Sequence, residues 1–241
     1  MDTAATIELI IRIADVTGVL ANAILGGLIA RSRRFDPVGF LTLAIMTGLG
    51  GGMVRDVLLQ APVVALHDAA YLTAALGGAA VAFFVPVGKR LWDVAFPYLD
   101  ALALGCWAAA GASKALSLGF DWVPAIMMGT ITAVGGGVMR DTMLQKTPTV
   151  FGGNTLYATS AILGSAVIVL LYPLGIEPFA TAASILVGML LTLVARWRQW
   201  RLPNSWSWAP KRAFGMLPRP RWRRRKARRA PDAGPDAAAS G

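Results

Sequence analysis

The sequence predicts an all-α polytopic membrane protein: seven transmembrane helices, arranged as two inverted three-helix repeats plus a seventh helix. Three observations carry that prediction. The 241 residues are 56% hydrophobic and only 15% charged, against roughly a quarter charged in an ordinary soluble domain. Apolar runs of about 20 residues, the length that crosses a hydrocarbon core, recur along the chain. Finally, one glycine- and charge-bearing stretch occurs twice at a fixed displacement of 85 residues. The apolar runs are continuous rather than alternating, which argues against a β-barrel.

Taken in order, the expected spans are 6–30, 37–59, 69–87, 96–117, 122–144, 155–172 and 178–195. The chain begins Met1-Asp2 without a basic segment, so the first span is expected to remain as a helix rather than be cleaved as a signal. Odd-numbered spans run into basic residues: Arg31, Arg33 and Arg34; Lys89 and Arg90; Arg140 and Lys146; Arg196 and Arg198. The opposite connections hold His67, Asp68, Lys114, Asp121 and Glu177. Basic connections stay in the cytoplasm. The expectation is therefore a multi-pass inner (plasma) membrane protein with its N-terminus outside and its C-terminus in the cytoplasm.

The duplicated stretch is Thr47-Gly-Leu-Gly50-Gly51-Gly52-Met-Val-Arg55-Asp56, answered by Thr132-Ala-Val-Gly135-Gly136-Gly137-Val-Met-Arg140-Asp141. The same register pairs Asp15 with Asp100, Gly26 with Gly111 and Asp36 with Asp121. It slips slightly further on, where Tyr71 meets Tyr157 and Pro86 meets Pro173. These matches divide the chain into a first repeat at 6–87, a second at 96–173, a seventh span at 178–198 and a basic tail at 199–241. Three spans is an odd number, so the second repeat is expected to enter the membrane from the opposite side.

The net charge of +10 is concentrated at one end: from Arg196 onward there are 13 Lys/Arg and 2 Asp. Arg196, Trp197, Arg198, Trp200 and Arg201 are expected to contact lipid at the cytoplasmic interface, with Trp at headgroup depth and Arg on anionic headgroups. Nucleic-acid binding is not expected of a tail tethered to a membrane. One cysteine, Cys106, and one histidine, His67, supply neither a disulfide nor a metal cluster. Cys106 is expected to pack and His67 to lie in a loop. No cofactor is expected, and nothing in the sequence supports an enzyme. The glycine triplet follows no strand and precedes no Lys-Ser/Thr, so it is not a phosphate loop.

Glycine weakens a helix and charge is costly in lipid, yet both occur twice at one register. Small residues let helices approach closely, which explains single glycines. Three in a row point in three directions, so a broken or kinked helix lining a polar path is expected at Gly50, Gly51 and Gly52 and again at Gly135, Gly136 and Gly137. Adjacent helical residues do not face each other, so Arg55 is not expected to pair with Asp56. The expected pairs are Asp15 with Arg55 and Asp100 with Arg140, as two gates flanking a path. Lys114 breaks the symmetry, since its counterpart is Ile29; it either snorkels or sits at a pore mouth. Thr47 and Thr132 could offer hydroxyls to a permeant ion.

The doubled GGG-x-x-R-D-x-x-L pattern, in three-span units that each begin with an Asp-bearing helix, resembles the prokaryotic trimeric intracellular cation (TRIC) channel family, whose units are also classed as a glycine-transporter (UPF0126-type) domain. Asp15, Gly50–Gly52, Arg55 and Asp56 match its first unit, and Asp100, Gly135–Gly137, Arg140 and Asp141 its second. The resemblance implies a homotrimer conducting K⁺ through a pathway inside each protomer, along the second and fifth spans. A carrier of a small zwitterion such as glycine is the alternative, because inverted repeats with broken helices also build carriers.

Overall fold

The structure is a computed structural model that describes residues 3–85, 89–151 and 156–200. Asp2, the expected span ends at 86–87 and 155, and Arg201 with the rest of the tail lie outside the described residues. The described chain is all helical: α1 (Thr3–Ser32), α2 (Pro37–Leu58), a single turn α3 (Val64–His67), α4 (Ala69–Phe84), α5 (Lys89–Ser117), α6 (Trp122–Met143), α7 (Tyr157–Leu171) and α8 (Glu177–Trp197). His67 therefore closes a short helix rather than sitting in an irregular loop.

Local chemistry sets several of these ends. Asp36 caps α2 by accepting from the Gly39 N–H at 2.7 Å, and Pro37 supplies the first helical residue without needing a partner for an N–H. Asp68 caps α4 through the Ala70 N–H. At the other end of α4, Arg31 of α1 donates to the carbonyl oxygens of Ala82, Phe83 and Val85, the last at 2.8 Å. Those carbonyls would otherwise lack partners where the helix stops.

Among the described residues, six helical segments are long and apolar enough to cross a membrane, and Ala69–Phe84 is a shorter apolar helix of 16 residues. At 1.5 Å per residue, such a helix covers only about 24 Å of the roughly 30 Å hydrocarbon thickness. The third expected span is thus shorter than its apolar run suggested. α5 is longer than expected, beginning at Lys89 and continuing through Pro97.

The packing is that of a membrane protein. The interior is dominated by alanine, with Ala23, Ala44, Ala75, Ala101, Ala108 and Ala161 closed to solvent. Small side chains let backbones approach where no hydrophobic effect drives association. Large apolar residues face outward instead, among them Leu72, Phe84, Leu170, Phe179 and Leu190. α1 packs on α2, α4 and α5; α5 packs on α6, α7 and α8; and α2 packs on α6.

Candidate functional site

The glycine triplets lie where α2 meets α6, and helix runs unbroken through both. Of the expected broken or kinked helix, an outright break is therefore absent. The helix-weakening cost of glycine is offset by contact across the crossing, because two of the three glycines in each triplet are packing residues. A Cβ on Gly51 would strike the Thr132 carbonyl oxygen, and one on Gly136 would strike the Thr47 carbonyl oxygen. The contact is reciprocal in the 85-residue register, as in an isologous interface. A Cβ on Gly135 would lie 3.0 Å from the Gly51 Cα, and one on Gly50 would strike the Met139 sulfur. The third glycines behave differently. A Cβ on Gly52 or Gly137 would meet only the guanidinium of its own Arg55 or Arg140, at 3.6 and 3.7 Å.

Trp107 closes the centre of this crossing. It is fully buried, its ring lies against both Gly51 and Gly136, and its indole N–H donates to the Asp15 backbone carbonyl at 3.4 Å. Its register partner in the first half is Asn22, also buried. Thr47 and Thr132 are equally enclosed. Their hydroxyls donate to the carbonyls of Leu43 and Met128, each at 2.6 Å, and a Cβ on Gly26 or Gly111 would strike them. Both threonines are thus committed to helix contacts.

Two charge clusters flank the crossing. In the first, Arg55 is 1% exposed and reaches Asp15 with Nη1 at 3.0 Å and Asp56 with Nε at 2.8 Å. The Asp15–Arg55 pair is as expected; the Arg55–Asp56 pair is a correction. The Asp56 carboxylate is held back toward the bundle by the Val64 N–H at 2.9 Å and by Lys114 Nζ at 2.6 Å. That places Oδ1 within reach of a long side chain despite the 100° between neighbours on a helix. Lys114 accordingly turns inward to Asp56. The Tyr71 hydroxyl donates to Asp15 Oδ2 at 3.0 Å, while Asp15 Oδ1 is buried and has no protein partner.

The second cluster repeats part of this design. Arg140 Nε reaches Asp141 at 3.0 Å, the Thr149 N–H donates to Asp141 at 3.1 Å, and Tyr157 donates to Asp100 at 3.1 Å. The expected Asp100–Arg140 ion pair is not formed. Asp100 instead pairs with Arg196 of α8 at 3.4 Å, and Arg140 Nη1 is buried without a protein partner. Arg196 also lies over the Phe96 ring at 5.6 Å, so this residue turns into the bundle where lipid contact was expected. Trp197, Arg198 and Trp200 are exposed, with Arg198 over the Trp197 ring at 5.3 Å. The tyrosines stood in the sequence only as register markers. Their position on the helix following each motif, one per repeat, was the available signal.

A cavity of about 810 Å³ opens onto the first cluster, with Glu8, Arg12, Asp15, Arg55, Asp68, Tyr71 and Lys114 in its walls. Arg12 grips Asp68 through two bonds, at 2.6 and 2.9 Å, on the exposed side. The Arg12 hydrogen bond, helped by the Ala70 N–H, holds the Asp68 carboxyl below the usual carboxylate range. Among the described residues, no cluster of His, Cys, Asp and Glu has the makeup of a metal site.

An apolar exterior, an alanine-rich interior and buried ion pairs beneath a polar cavity mark a multi-pass α-helical membrane protein. The chain belongs to the family described as glycine transporter, which matches it twice, at residues 12–86 and 97–173. A UPF0126 membrane protein of Deinococcus radiodurans is 39% identical over 197 residues, covering 78% of this chain and 89% of its own. The UPF0126 inner membrane protein YadS of Escherichia coli K12 is 34% identical over 184 residues, covering 76% and 87%. Among solved structures, a TRIC cation channel analysed for conductance has a TM-score of 0.70 at 34% identity, covering 80% of this chain and 96% of that one. The TRIC trimeric intracellular cation channel orthologue from Rhodobacter sphaeroides has a TM-score of 0.72 at 31% identity, covering 78% and 98%.

Proposed function

We propose that this protein is a monovalent cation channel, passing K⁺ through a pathway inside each protomer of a homotrimer. The observation that carries the reading is its similarity, over nearly the full length of those chains, to solved TRIC cation channels. The pathway enters through the cavity above Asp15 and runs beside the glycine crossing, where α2 and α6 bend at their triplets when it opens. Trp107 fills that crossing, so the route passes alongside it rather than through it. Polar groups along the route replace part of the ion's hydration shell. Arg55 and Arg140 are tolerable beside a cation path because each is paired with a neighbouring carboxylate.

In the topology of this proposal, α1, α2 and α4 form one three-helix unit (6–87), and α5, α6 and α7 form its inverted copy (96–173). The family's two matches begin 85 residues apart, and the reciprocal Gly51–Thr132 and Gly136–Thr47 contacts suit a two-fold axis through the crossing. α8 (Glu177–Trp197), over the segment expected at 178–198, is the added seventh span. The N-terminus faces out and the basic tail faces the cytoplasm.

A carrier of a small zwitterion such as glycine is the second reading. It is favoured by the family's description and by a cavity that offers both Lys114 and Asp15. Purified protein in liposomes separates the two. Ohmic unitary K⁺ currents without labelled-glycine counterflow are expected, whereas saturable glycine exchange without current would replace the channel with the carrier. Within the channel reading, Arg55→Ala and Arg140→Ala alter gating or conductance while the trimer persists. Unchanged unitary currents in both variants would remove the clusters from the pathway.

A further inference from the structure

We propose that Asp100 is a latch with two alternative partners: it holds Arg196 of α8 in the docked arrangement and passes to Arg140 of α6 when the last turn of α8 swings out. The latch is independent of what crosses the membrane. Two observations in the second cluster point to it. Arg140 Nη1 is buried and finds no acceptor, although Asp100 lies within its electrostatic reach. The bond that keeps Asp100 elsewhere is long, with Arg196 Nη2 at 3.4 Å from Oδ2, beyond the roughly 2.7–2.9 Å of a good charge-assisted hydrogen bond.

The first repeat displays the other arrangement. At the equivalent register Asp15 sits on Arg55 at 3.0 Å, and the Tyr71 hydroxyl donates to the same carboxylate. In the second repeat the Tyr157 hydroxyl donates to Asp100 Oδ1. The carboxylate is thus pinned by one oxygen, and Oδ2 is the one that changes hands. A single competitor distinguishes the halves: Arg196, brought by α8, which follows both repeats.

Opposite costs balance the two arrangements. With Arg196 on Asp100, Arg140 keeps an unmet donor although its side chain is only 6% exposed; an orphaned buried donor is destabilising. With Arg140 on Asp100 that cost disappears, and Arg196 gives up its carboxylate and its place over the Phe96 ring. The Arg196 side chain is already 32% exposed. A long cationic side chain so placed extends to the interface, where Trp197 and Arg198 already lie exposed. The Asp100–Arg196 bond ties α5 to α8, and an Asp100–Arg140 bond ties α5 to α6. The exchange therefore sets whether the end of α8 is docked, as bistable contacts do in switching proteins.

The exchange is read in two ways on the full-length protein in detergent. Arg140→Gln and Arg196→Gln are each expected to lower the thermal midpoint by a few degrees, because the remaining arginine still holds Asp100. The double variant is expected to fall by clearly more than the sum, the mark of sites that share a partner. For the second reading, spin labels are placed on Met143→Cys and Trp197→Cys, both at exposed positions, while the natural Cys106 is buried. Electron–electron resonance is expected to give a longer label-to-label distance in Arg196→Gln and a distribution narrowed to the docked distance in Arg140→Gln. Should the double variant fail to fold, the distances decide. Strictly additive losses, or one distance distribution shared by the labelled parent and both variants, would overturn the exchange and leave a fixed network.

Discussion

The two halves share a scaffold and differ in who completes it. Each has an Arg-Asp pair one residue apart, a backbone N–H eight residues beyond the Asp that it accepts, and a tyrosine hydroxyl on the helix-one carboxylate. The first half then borrows Lys114 from α5 and brings Asp15 onto Arg55. The second borrows Arg196 from α8, which takes Asp100 and leaves Arg140 with a free donor. Duplication fixed the positions of the side chains; single residues outside the repeated motif decided the valence of each cluster. Four charges are locked together in one half, and the other holds two separate pairs.

The sharpest way to break this comparison is to remove the arginines. Arg55→Ala strands two buried carboxylates, although Lys114 still holds Asp56, and is expected to cost about 3–5 kcal/mol, typical for breaking a buried charge pair. Arg140→Ala strands only Asp141 and removes an unpartnered donor, so about 1–3 kcal/mol is expected. Denaturation in matched detergent checks the order, and equal losses would contradict the asymmetry. The crossing, by contrast, is symmetric. Gly51→Ala and Gly136→Ala each drive a methyl into a carbonyl of the opposite helix and are expected to cost about 1–3 kcal/mol apiece. A large difference between the two thermal midpoints would mean the reciprocal contact is not shared equally.

Lys114→Ile installs the residue found at the equivalent position 29 and removes one of the two cations on Asp56. It is expected to lose about 1–3 kcal/mol, the range for a hydrogen bond to a charged group, and to shift open probability in single-channel records more than Ile29→Lys does. The smallest effect is at the cavity rim. Arg12 depresses the Asp68 pKa, so their contact contributes fully above the ordinary carboxylate range. It is lost as pH falls through about 4 and below. Arg12→Gln should flatten that limb of a stability-versus-pH curve and leave neutral pH nearly unchanged.

Most of the fold was legible because lipid enforces it. Apolar length locates the helices, and the 85-residue register locates the clusters. Asp15–Arg55 was readable because equal depth on adjacent spans leaves few partners. Arg55–Asp56 was not, because helix geometry describes Cβ directions and a long guanidinium can curl past them once its neighbour is pinned from elsewhere. Arg196 was missed for a related reason: a Trp/Arg run at a helix end looks like an interface anchor, and nothing local says that its first residue turns inward. The triplets were the most ambiguous signal. Three glycines signal both a weak helix and a close approach, and only the facing helix distinguishes them. Trp107 carried no signal at all, since one aromatic in an alanine-rich run looks like ordinary core.

Cation conduction is the property proposed for this chain from its likeness to solved channels. The most direct test is the reversal potential of the purified protein in a planar bilayer across a KCl gradient. Unitary currents reversing close to the K⁺ equilibrium potential are expected. Reversal toward the Cl⁻ potential, or a silent bilayer with protein shown to be inserted, would contradict it.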